Sequence, residues 1–548
     1  MRSRQFLFDF LALSLILIAP FVILLGHHGY AYSKPEVVLI FAVTTTAAAV
    51  LALVVGLTAQ WMRIAVLALL LALFIDVHVT LPRLSAILIL LLYLATAAVL
   101  GLLLWVLREH ATKILTVTFV TLIALTIFTA DPSPNRVSHE AKSTATSAGD
   151  APLFIHLLLD EHIGVEGLPR EIHGARELRA ELIRFYTEHG FRLFGGAYSQ
   201  YANTFDAVPN LLNFASRDVS RVYLAPGSDE REWRLKESAY FKMLQDRGYR
   251  LHVYQSTYME LCHVRDVNPQ SCTTYPVASL GTIQDLDLRA GEKARFVVSA
   301  LLARSHTLRA LDVAYRRLVR APLARMGLST PVWKADPPSF GPLPIPQMFE
   351  RLTEDILQHP RGHAYFAHLI MPHYPYVYDS HCALRPRSED WLTNHITSPD
   401  ELVYNTQQSR ERKYELYADQ VRCALTMIDR LLDKLESRGL LEDATFIVNG
   451  DHGSRIPTHF PDGATLAGGV LTDSDYSDTF STLYAIRKPG VEPGYVPEPA
   501  LVVNLLDHHF AGEPLQQESS CRVFLVAKDG RSTLKTVNPR FCARNAVK

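Results

Sequence analysis

The sequence predicts a membrane-anchored α/β protein in three parts: about five transmembrane helices over residues 1–130, a linker over 131–150, and an exported domain over 151–548 with a largely parallel sheet sandwiched by helices. Three observations support this prediction. Long uncharged apolar stretches fill the first part, short apolar runs alternate with helical patterns in the last part, and all six cysteines lie in that last part.

The apolar stretches approach the roughly 20 residues that span a bilayer. The third stretch carries Asp76 and His78 near its end, so this helix is either short or tilted, or these groups lie at the membrane interface. The stretches are 10–25, 37–60, 64–74, 84–107 and 114–130.

Basic residues between the stretches predict the orientation, because cytoplasmic loops carry an excess of Lys and Arg. One side of a five-helix weave holds more of them than the other. That side has Arg2, Arg4, Arg63, Arg108 and Lys113, against Lys34 and Arg83. The N-terminus is therefore predicted to be cytoplasmic. Residues 151–548 then face outward, which makes the protein a multi-pass inner-membrane protein with a periplasmic domain in a bacterium with two membranes.

The exported part is expected to contain disulfides, because an oxidising compartment favours them. Buried free thiols are the alternative. Sequence proximity favours the pairs Cys262–Cys272, Cys382–Cys423 and Cys521–Cys542. The formal net charge of −1 gives no electrostatic basis for binding nucleic acid.

Strand-like and helical patterns alternate after residue 150, which predicts a parallel sheet with helices on both faces. The region 280–346 is less regular and contains a basic amphipathic stretch, 300–325, which either lies against the membrane surface or forms a solvated helix. The predicted strands are 153–159, 191–198, 249–255, 364–370, 445–449 and 483–486, with helices at 175–189 and 411–438.

The strongest local signal is Gly450-Asp451-His452-Gly453, which follows a predicted strand. The glycines would let the backbone turn sharply and bring a carboxylate and an imidazole toward one point. Zinc accepts such ligands and leaves one position open for substrate at catalytic sites. An Asp that caps a helix beside a surface His is the alternative.

A second pair of acidic residues, Asp160 and Glu161, follows a strand apolar enough to be central. We expect Asp160 to be a metal ligand, with Glu161 as a competing or additional one. His156 lies inside the same strand and is expected to pack in the core. The role of His162, beside the acidic pair, stays open.

Thr204 is the predicted nucleophile. It precedes a predicted helix over 205–214, and a helix N-terminus favours an anion. Metal coordination would lower the pKa of its hydroxyl, and the same helix end would hold the phosphoryl oxygens of a covalent intermediate. Taken alone, Thr204 is better explained as an N-cap. The other two fragments favour the nucleophile.

Three further residues are weaker candidates. His373, between two prolines after a predicted strand, would donate to a phosphate oxygen or a leaving group, or have a structural role. His459 is a candidate of the same type. Arg455 would neutralise a phosphate, although a lone arginine is commonly a surface residue.

Together, the acidic residue after the first strand, the threonine at a helix start and the late Asp-His pair resemble the alkaline phosphatase superfamily. The resemblance is to its membrane-anchored sulfatase-like branch, which includes lipoteichoic acid synthases and lipid A phosphoethanolamine transferases. It implies an alkaline phosphatase/sulfatase-like fold and one catalytic divalent metal, zinc or manganese. The implied ligands are Asp160, Thr204, Asp451 and His452, and His373 matches the substrate-side histidine of this branch.

The resemblance implies a transferase that moves phosphoethanolamine, phosphoglycerol or a similar group from a phospholipid donor to an envelope glycan or lipid acceptor. The multi-span anchor favours this function, because a lipid donor is met at the bilayer. The sulfatase motif of Cys or Ser followed by x-Pro-x-Arg is absent around Thr204, which disfavours sulfate ester hydrolysis. A sulfatase-like hydrolase of phosphate or sulfate esters is the first alternative, and a non-catalytic envelope-assembly protein is the second.

Overall fold

A computed structural model describes two compact units, each formed by two stretches of the chain. The first unit comprises Met1–Arg136 and Ala278–Ser339, and the second comprises Val137–Val277 and Phe340–Lys548. The described residues are 2–81, 84–129, 138–141, 150–217, 222–226, 233–277, 279–320, 322–323, 326, 340–391, 403–515, 520–526, 532–537 and 542.

The helices and strands follow the predicted order. The helices are α1 Arg2–His27, α2 Pro35–Gly56, α3 Gln60–Asp76, α4 Ala86–Val106, α5 Ala111–Thr129, α6 Ala175–Glu188, α7 Thr204–Leu211, α8 Ala239–Asp246, α9 Ala290–Arg304, α10 His306–Tyr315, α11 Ile345–Gln358, α12 Ser388–Trp391, α13 Gln407–Glu436, α14 Gly463–Ala467, α15 Asp473–Phe480 and α16 Val502–Phe510. The strands are β1 Ser138–Ala141, β2 Phe154–Leu159, β3 Arg192–Tyr198, β4 Leu224–Pro226, β5 Trp233–Leu235, β6 Arg250–Ser256, β7 Met259–Glu260, β8 Ser271–Tyr275, β9 His363–Leu369, β10 Thr445–Gly450, β11 Tyr484–Arg487, β12 Gly494–Leu501, β13 Cys521–Val526 and β14 Ser532–Val537.

Helices α1 to α5 confirm the five predicted apolar helices, and each is long and apolar enough to cross a membrane. Small buried residues such as Ala19, Ala48 and Ala68 lie in their common core. Small side chains let helix backbones approach closely where lipid surrounds the bundle. Large apolar residues such as Phe128 face outward, as a bilayer requires.

Residues 279–320, which the sequence places in the predicted exported domain, form one compact unit with these helices. The carboxylate of Asp76, at the end of α3, accepts hydrogen bonds from the Ser305 hydroxyl and the Thr307 amide at the start of α10. A buried carboxylate requires such donors. The polar end of the third apolar stretch is thus explained by a contact with a segment more than 200 residues further along the chain.

The second unit contains a nine-stranded sheet in the order β1-β8-β6-β9-β2-β10-β11-β3-β12. Pairing is parallel except between β1 and β8, β10 and β11, and β11 and β3, which confirms a largely parallel sheet. Strand β1 lies inside the predicted linker 131–150, most of which falls outside the described residues. Smaller sheets are formed by β4-β5-β7 and by β13-β14.

Strand β12, which forms one edge of the large sheet, was not predicted from the sequence. Pro497 and Pro499 interrupt its sequence pattern, and its pairing with β3 shifts register between Val496 and Pro499. Proline has no backbone N–H to donate. It is tolerated in an edge strand because one side of that strand has no neighbour that needs a donor. The three predicted disulfides are all present, joining Cys262–Cys272, Cys382–Cys423 and Cys521–Cys542.

Two buried histidines contact each other at the start of neighbouring strands β6 and β9. The His252 and His363 imidazoles share a hydrogen bond of 2.6 Å, and His252 also bonds the Ser271 hydroxyl at 2.6 Å. Burial and the neighbouring histidines lower the pKa of His252 to about 3 and that of His363 to about 4, from 6.5. Both side chains are therefore neutral in the folded protein at neutral pH.

We expect this pair to destabilise the fold as the pH falls. Between pH 6.5 and about 4 these histidines bind protons in the unfolded chain but stay neutral in the folded protein. The free energy of unfolding therefore decreases as the pH falls. The variant His363→Asn should lose less thermal stability over this range than the wild type does, measured as melting temperature against pH. The matched change of exposed His381 to Asn should keep the wild-type slope. Equal slopes for all three proteins would contradict the assignment.

Candidate metal and phosphoryl-transfer site

Four parallel strands end at one edge of the large sheet, where they bring the predicted site residues together. Leu159, Leu369 and Gly450, at the ends of β2, β9 and β10, are direct register partners. Strand β3 runs in the same direction, since it is antiparallel to β11, as β10 is. The loops that follow these strands therefore leave from one edge, which is where open α/β sheets gather ligands.

The loop after β10 depends on its two glycines for close packing. A Cβ at Gly450 would lie 2.4 Å from the Thr482 hydroxyl, and one at Gly453 would lie 2.2 Å from the Asp478 carbonyl oxygen. Neither glycine has a positive φ. Glycine is therefore required at both positions because a side chain would not fit, and not because of the expected sharp turn. The loop is held directly against the segment that precedes β11.

His452 presents one ring nitrogen to the site. Its Nδ1 donates to the Gly453 carbonyl oxygen at 2.6 Å, which leaves the lone pair of the neutral ring on Nε2. That Nε2 lies 3.4 Å from Asp451 Oδ2 and 3.9 Å from Asp160 Oδ1. The local backbone contact thus fixes the tautomer that a metal ligand requires.

The loop after β2 is held in an unusual backbone conformation. Glu161 has a φ of 63°, which is rare for a residue with a side chain. Its amide donates to Asp451 Oδ1 at 3.1 Å, and its carbonyl accepts a hydrogen bond from the Tyr417 hydroxyl at 3.2 Å. The same hydroxyl accepts from the Ile163 amide at 2.8 Å. Tyr417, which the sequence analysis did not single out, therefore positions the acidic pair from helix α13.

Thr204 is the first residue of α7, and its hydroxyl lies 3.4 Å from His452 Nε2. The N-cap is Asn203, whose side chain accepts from the Asp206 amide at 2.9 Å. The capping alternative for Thr204 is therefore wrong, because the neighbouring asparagine already fills that role. Thr204 is buried, and its chain neighbours Asn203 and Asp206 help to line a cavity of about 40 Å³.

The donor atoms fit a divalent metal. Two ligands bound at about 2.1 Å to one tetrahedral zinc are about 3.4 Å apart. The corresponding distances from His452 Nε2 are 3.4 Å to Thr204 Oγ, 3.4 Å to Asp451 and 3.9 Å to Asp160. Asp160 Oδ1 and Asp451 Oδ2 are also buried without a hydrogen-bond partner in the structure. Buried carboxylate oxygens without a donor are costly unless a cation compensates them.

The pKa shifts of the buried carboxyl groups also favour a bound cation. Burial raises the pKa of Glu161 and of Asp451, and the negative charge of Asp160 raises that of Asp451 further. Burial also acts to raise the pKa of Asp160, but the positive charge of His373 and the contact with His368 outweigh it, so this pKa lies below its ordinary value. Three buried carboxyl groups at one point can all ionise only beside added positive charge.

A second set of donors shares Asp160 with the first. Glu161 and His373 have ligand atoms within 4.8 Å of each other and of Asp160. His373 Nε2 lies 3.4 Å and Arg455 Nε 3.2 Å from the same oxygen of Glu161, Oε1. The structure thus brings both weaker candidates, His373 and Arg455, to the site. Glu161 Oε2 has no hydrogen-bond partner in the structure.

Other histidines lie elsewhere or were missed. His459 pairs with Asp475 at 3.2 Å and is not among the grouped donors, and His162 bonds the adjacent Ile163 carbonyl. His156 bonds Tyr240 and Asn449 in the core, as expected.

His368 was not predicted as a site residue, although its Nε2 lies 3.7 Å from Asp160 Oδ2. Its position one residue before the end of a central strand was the available signal.

One part of the chain matches the model of a known protein family. Residues 345–476 match the family model described as Sulfatase. This segment is sulfatase-like. It contains His373, Asp451 and His452, and the match confirms the predicted resemblance to a sulfatase-like family. No curated protein matches the chain.

Solved structures similar to this chain are distant in sequence. The phosphonate monoester hydrolase SpPMH from Silicibacter pomeroyi is 15% identical, covers 68% of this chain and 80% of its own, and has a TM-score of 0.35. The putative sulfatase yidJ from Bacteroides fragilis is 12% identical over 72% and 86%, at 0.38. The C-terminal periplasmic domain of EcEptC from Escherichia coli is 12% identical over 74% and 96%, at 0.37. At these values the substrate has to be inferred from the site itself.

We expect zinc binding to depend on the loop after β10. Purified protein stripped with a chelator should bind zinc in calorimetry, and zinc should raise its melting temperature. His452→Ala and Asp451→Asn should each weaken binding at least about tenfold, or roughly 1.4 kcal/mol. Without zinc, Asp451→Asn should be no less stable than the wild type, because it removes a repelled carboxylate.

His459→Ala is the matched control for this experiment. It removes a histidine from the same region whose partner is Asp475 rather than the grouped donors. Zinc affinity should stay at the wild-type value. A loss equal to that of His452→Ala would contradict the assigned ligand set.

Proposed function

We propose that this protein is a membrane-bound, metal-dependent transferase that moves a phospho-headgroup, such as phosphoethanolamine or phosphoglycerol, from a phospholipid to an envelope glycan or lipid. The observation that carries this proposal is the buried hydroxyl of Thr204, 3.4 Å from His452 Nε2 at the start of α7. Near the same imidazole lie carboxylate oxygens of Asp160 and Asp451 that lack hydrogen-bond donors. The five apolar helices support a donor that is itself a membrane lipid.

The proposed reaction has two displacements at phosphorus. Thr204 Oγ attacks the phosphorus of the donor headgroup, the bond from phosphorus to the diacylglycerol oxygen breaks, the threonine proton passes to water, and diacylglycerol gains a proton. His373 Nε2 is the proposed proton donor to that leaving oxygen. An acceptor hydroxyl then attacks the phosphothreonine, transfers its proton and restores Thr204.

The remaining groups hold the phosphoryl oxygens and the metal. Helix α7 begins at Thr204, and the N-terminus of a helix favours an anion. Arg455, next to Glu161, adds positive charge. Zinc, or manganese in its place, would be held by Asp160, Thr204, Asp451 and His452, and would lower the pKa of the hydroxyl and offset phosphate charge. We further propose that the site faces the periplasm from the inner membrane.

Thr204→Ala should abolish headgroup transfer while leaving the fold intact. Because Asn203 is the cap, this change should alter the free energy of unfolding by only about 1 kcal/mol. Mass spectrometry of peptides containing Thr204, after incubation with phospholipid vesicles, should detect a headgroup adduct in the wild type and not in the variant. Thr204→Ser should keep partial activity, since it keeps the hydroxyl.

Asn203→Ala provides the matched control, because it should cost about 1 kcal/mol of stability through the lost cap and retain transfer. Transfer by Thr204→Ala at the wild-type rate would rule out covalent catalysis through this residue. Release of free headgroup to water, without transfer to any envelope acceptor, would favour the hydrolase instead.

The predicted orientation can be tested with reporters. An enzyme active only outside the cytoplasm should be active when fused after Asp150 and inactive when fused after Arg108, since α5 separates the two positions. The six cysteines should resist alkylation without reductant, because all are paired. Activity of the Arg108 fusion would reverse the topology.

A further inference from the structure

Residues 279–320 are attached at one end of the apolar helices. Lys34, between α1 and α2, pairs with Asp285 at 2.7 Å. The His306 ring, at the start of α10, bonds the Val79 carbonyl oxygen, between α3 and α4, at 2.9 Å. Consecutive membrane-spanning helices alternate in direction, so these two loops lie on the same side, which is the side predicted to face outward. The segment is therefore held at the level where the apolar helices leave the membrane.

Exposed apolar side chains are concentrated in this part of the chain. Among the described residues after α5, seven large apolar side chains are exposed, and five of them lie between residues 302 and 326. The other two are Val222 and Leu534, in the other unit. Single exposed apolar side chains are normal on a soluble protein, but a concentration of them indicates an interaction surface. The five are Leu302, Leu311, Leu318, Val319 and Met326.

Helix α10 separates apolar and charged side chains on different faces. Leu308, Leu311 and Tyr315 are three and four residues apart, so they share one face of the helix. All three are at least partly exposed. Arg309 is exposed too, but it lies on another face, because successive residues are about 100° apart around a helix. Helix α10 is therefore amphipathic on its exposed surface.

The lipid-facing surface of α4 lies next to this helix. Helix α10 packs against α4, which is long and apolar enough to cross a membrane. On α4, Ile87, Leu91 and Leu94 are 73%, 57% and 57% exposed, as expected of side chains that contact lipid. Because the two helices are in contact, the lipid that surrounds α4 also adjoins α10.

The charge of the segment suits the boundary between lipid and water. Residues 300–325 contain six arginines and one aspartate, Asp312, which is buried. Helices that lie in the membrane interface combine apolar side chains on one face with basic residues on the other, and the basic residues favour anionic headgroups. Long arginine side chains keep their charged ends in water while their stems cover apolar surface.

We propose that α10 and the following turn Arg316–Arg320 form an interfacial helix, whose side chains Leu311, Leu318 and Val319 enter the acyl region of the bilayer. Arg309, on another face, lies among the headgroups. The leaflet is the one on the side of the α1–α2 and α3–α4 loops. This surface needs neither Thr204 nor a metal, so the proposal goes beyond the transferase function and is tested separately. It favours the membrane alternative for 300–325 over the solvated helix.

The test measures how deep single labelled positions lie in the full-length protein, reconstituted in nanodiscs of phosphatidylethanolamine and phosphatidylglycerol. Leu311→Cys and Leu318→Cys take a fluorescent label on the apolar side. Arg309→Cys, on another face of the same helix, is the matched control, and Leu91→Cys in α4 is the reference for contact with lipid. All six native cysteines are paired, so the label reacts only with the new thiol. Melting temperatures establish that each variant is folded.

Two quenchers distinguish the possible surroundings of the labels. Lipids brominated in their acyl chains should quench the labels at positions 311 and 318 about as strongly as the label at 91, and the label at 309 much less. Iodide in the water should show the opposite order. Strong quenching by iodide at 311, 318 and 309 alike, with none by the brominated lipids, would overturn the proposal in favour of a solvated helix. Quenching by neither agent at 311 and 318 would overturn it in favour of a second copy of this chain covering the surface.

Discussion

Buried negative charge at one edge of the large sheet is the constraint on which the catalytic unit depends. Asp160, Glu161 and Asp451 leave the ends of parallel strands within a small volume, and oxygens of all three lack hydrogen-bond donors. Parallel pairing in direct register forces this convergence, because Leu159 and Gly450 occupy the same rung. Such a cluster costs free energy unless a cation offsets it. The fold therefore stores a cost that a divalent metal would relieve.

The surrounding structure holds these charged groups in fixed positions. Tyr417 fixes the left-handed backbone at Glu161 through two hydrogen bonds to the same loop. The Gly453 carbonyl sets the His452 tautomer, and close packing at Gly450 leaves no room for a side chain. Preorganisation of this kind is needed because a metal site tolerates little displacement of its ligands. It also places the Thr204 hydroxyl at a helix start where an anion is favoured.

The membrane unit shows a second use of long-range contacts. Asp76 ends an otherwise apolar helix, and its carboxylate is satisfied by the start of α10. The segment 279–320 belongs by sequence to the exported half, yet it packs on helices from the first 130 residues. A multi-span unit suits a protein whose proposed donor comes from the bilayer.

The sequence by itself determined the five apolar helices, the main strands, the disulfide pairs and the Asp-His loop, because hydrophobic period and local residue order carry that information. It did not reveal His368 or Tyr417, nor that His459 pairs with Asp475 and that Asn203, not Thr204, caps α7. These outcomes depend on which strand ends and helices become neighbours. Only tertiary packing decides that, since side-chain contacts between distant segments leave no periodic trace in the sequence.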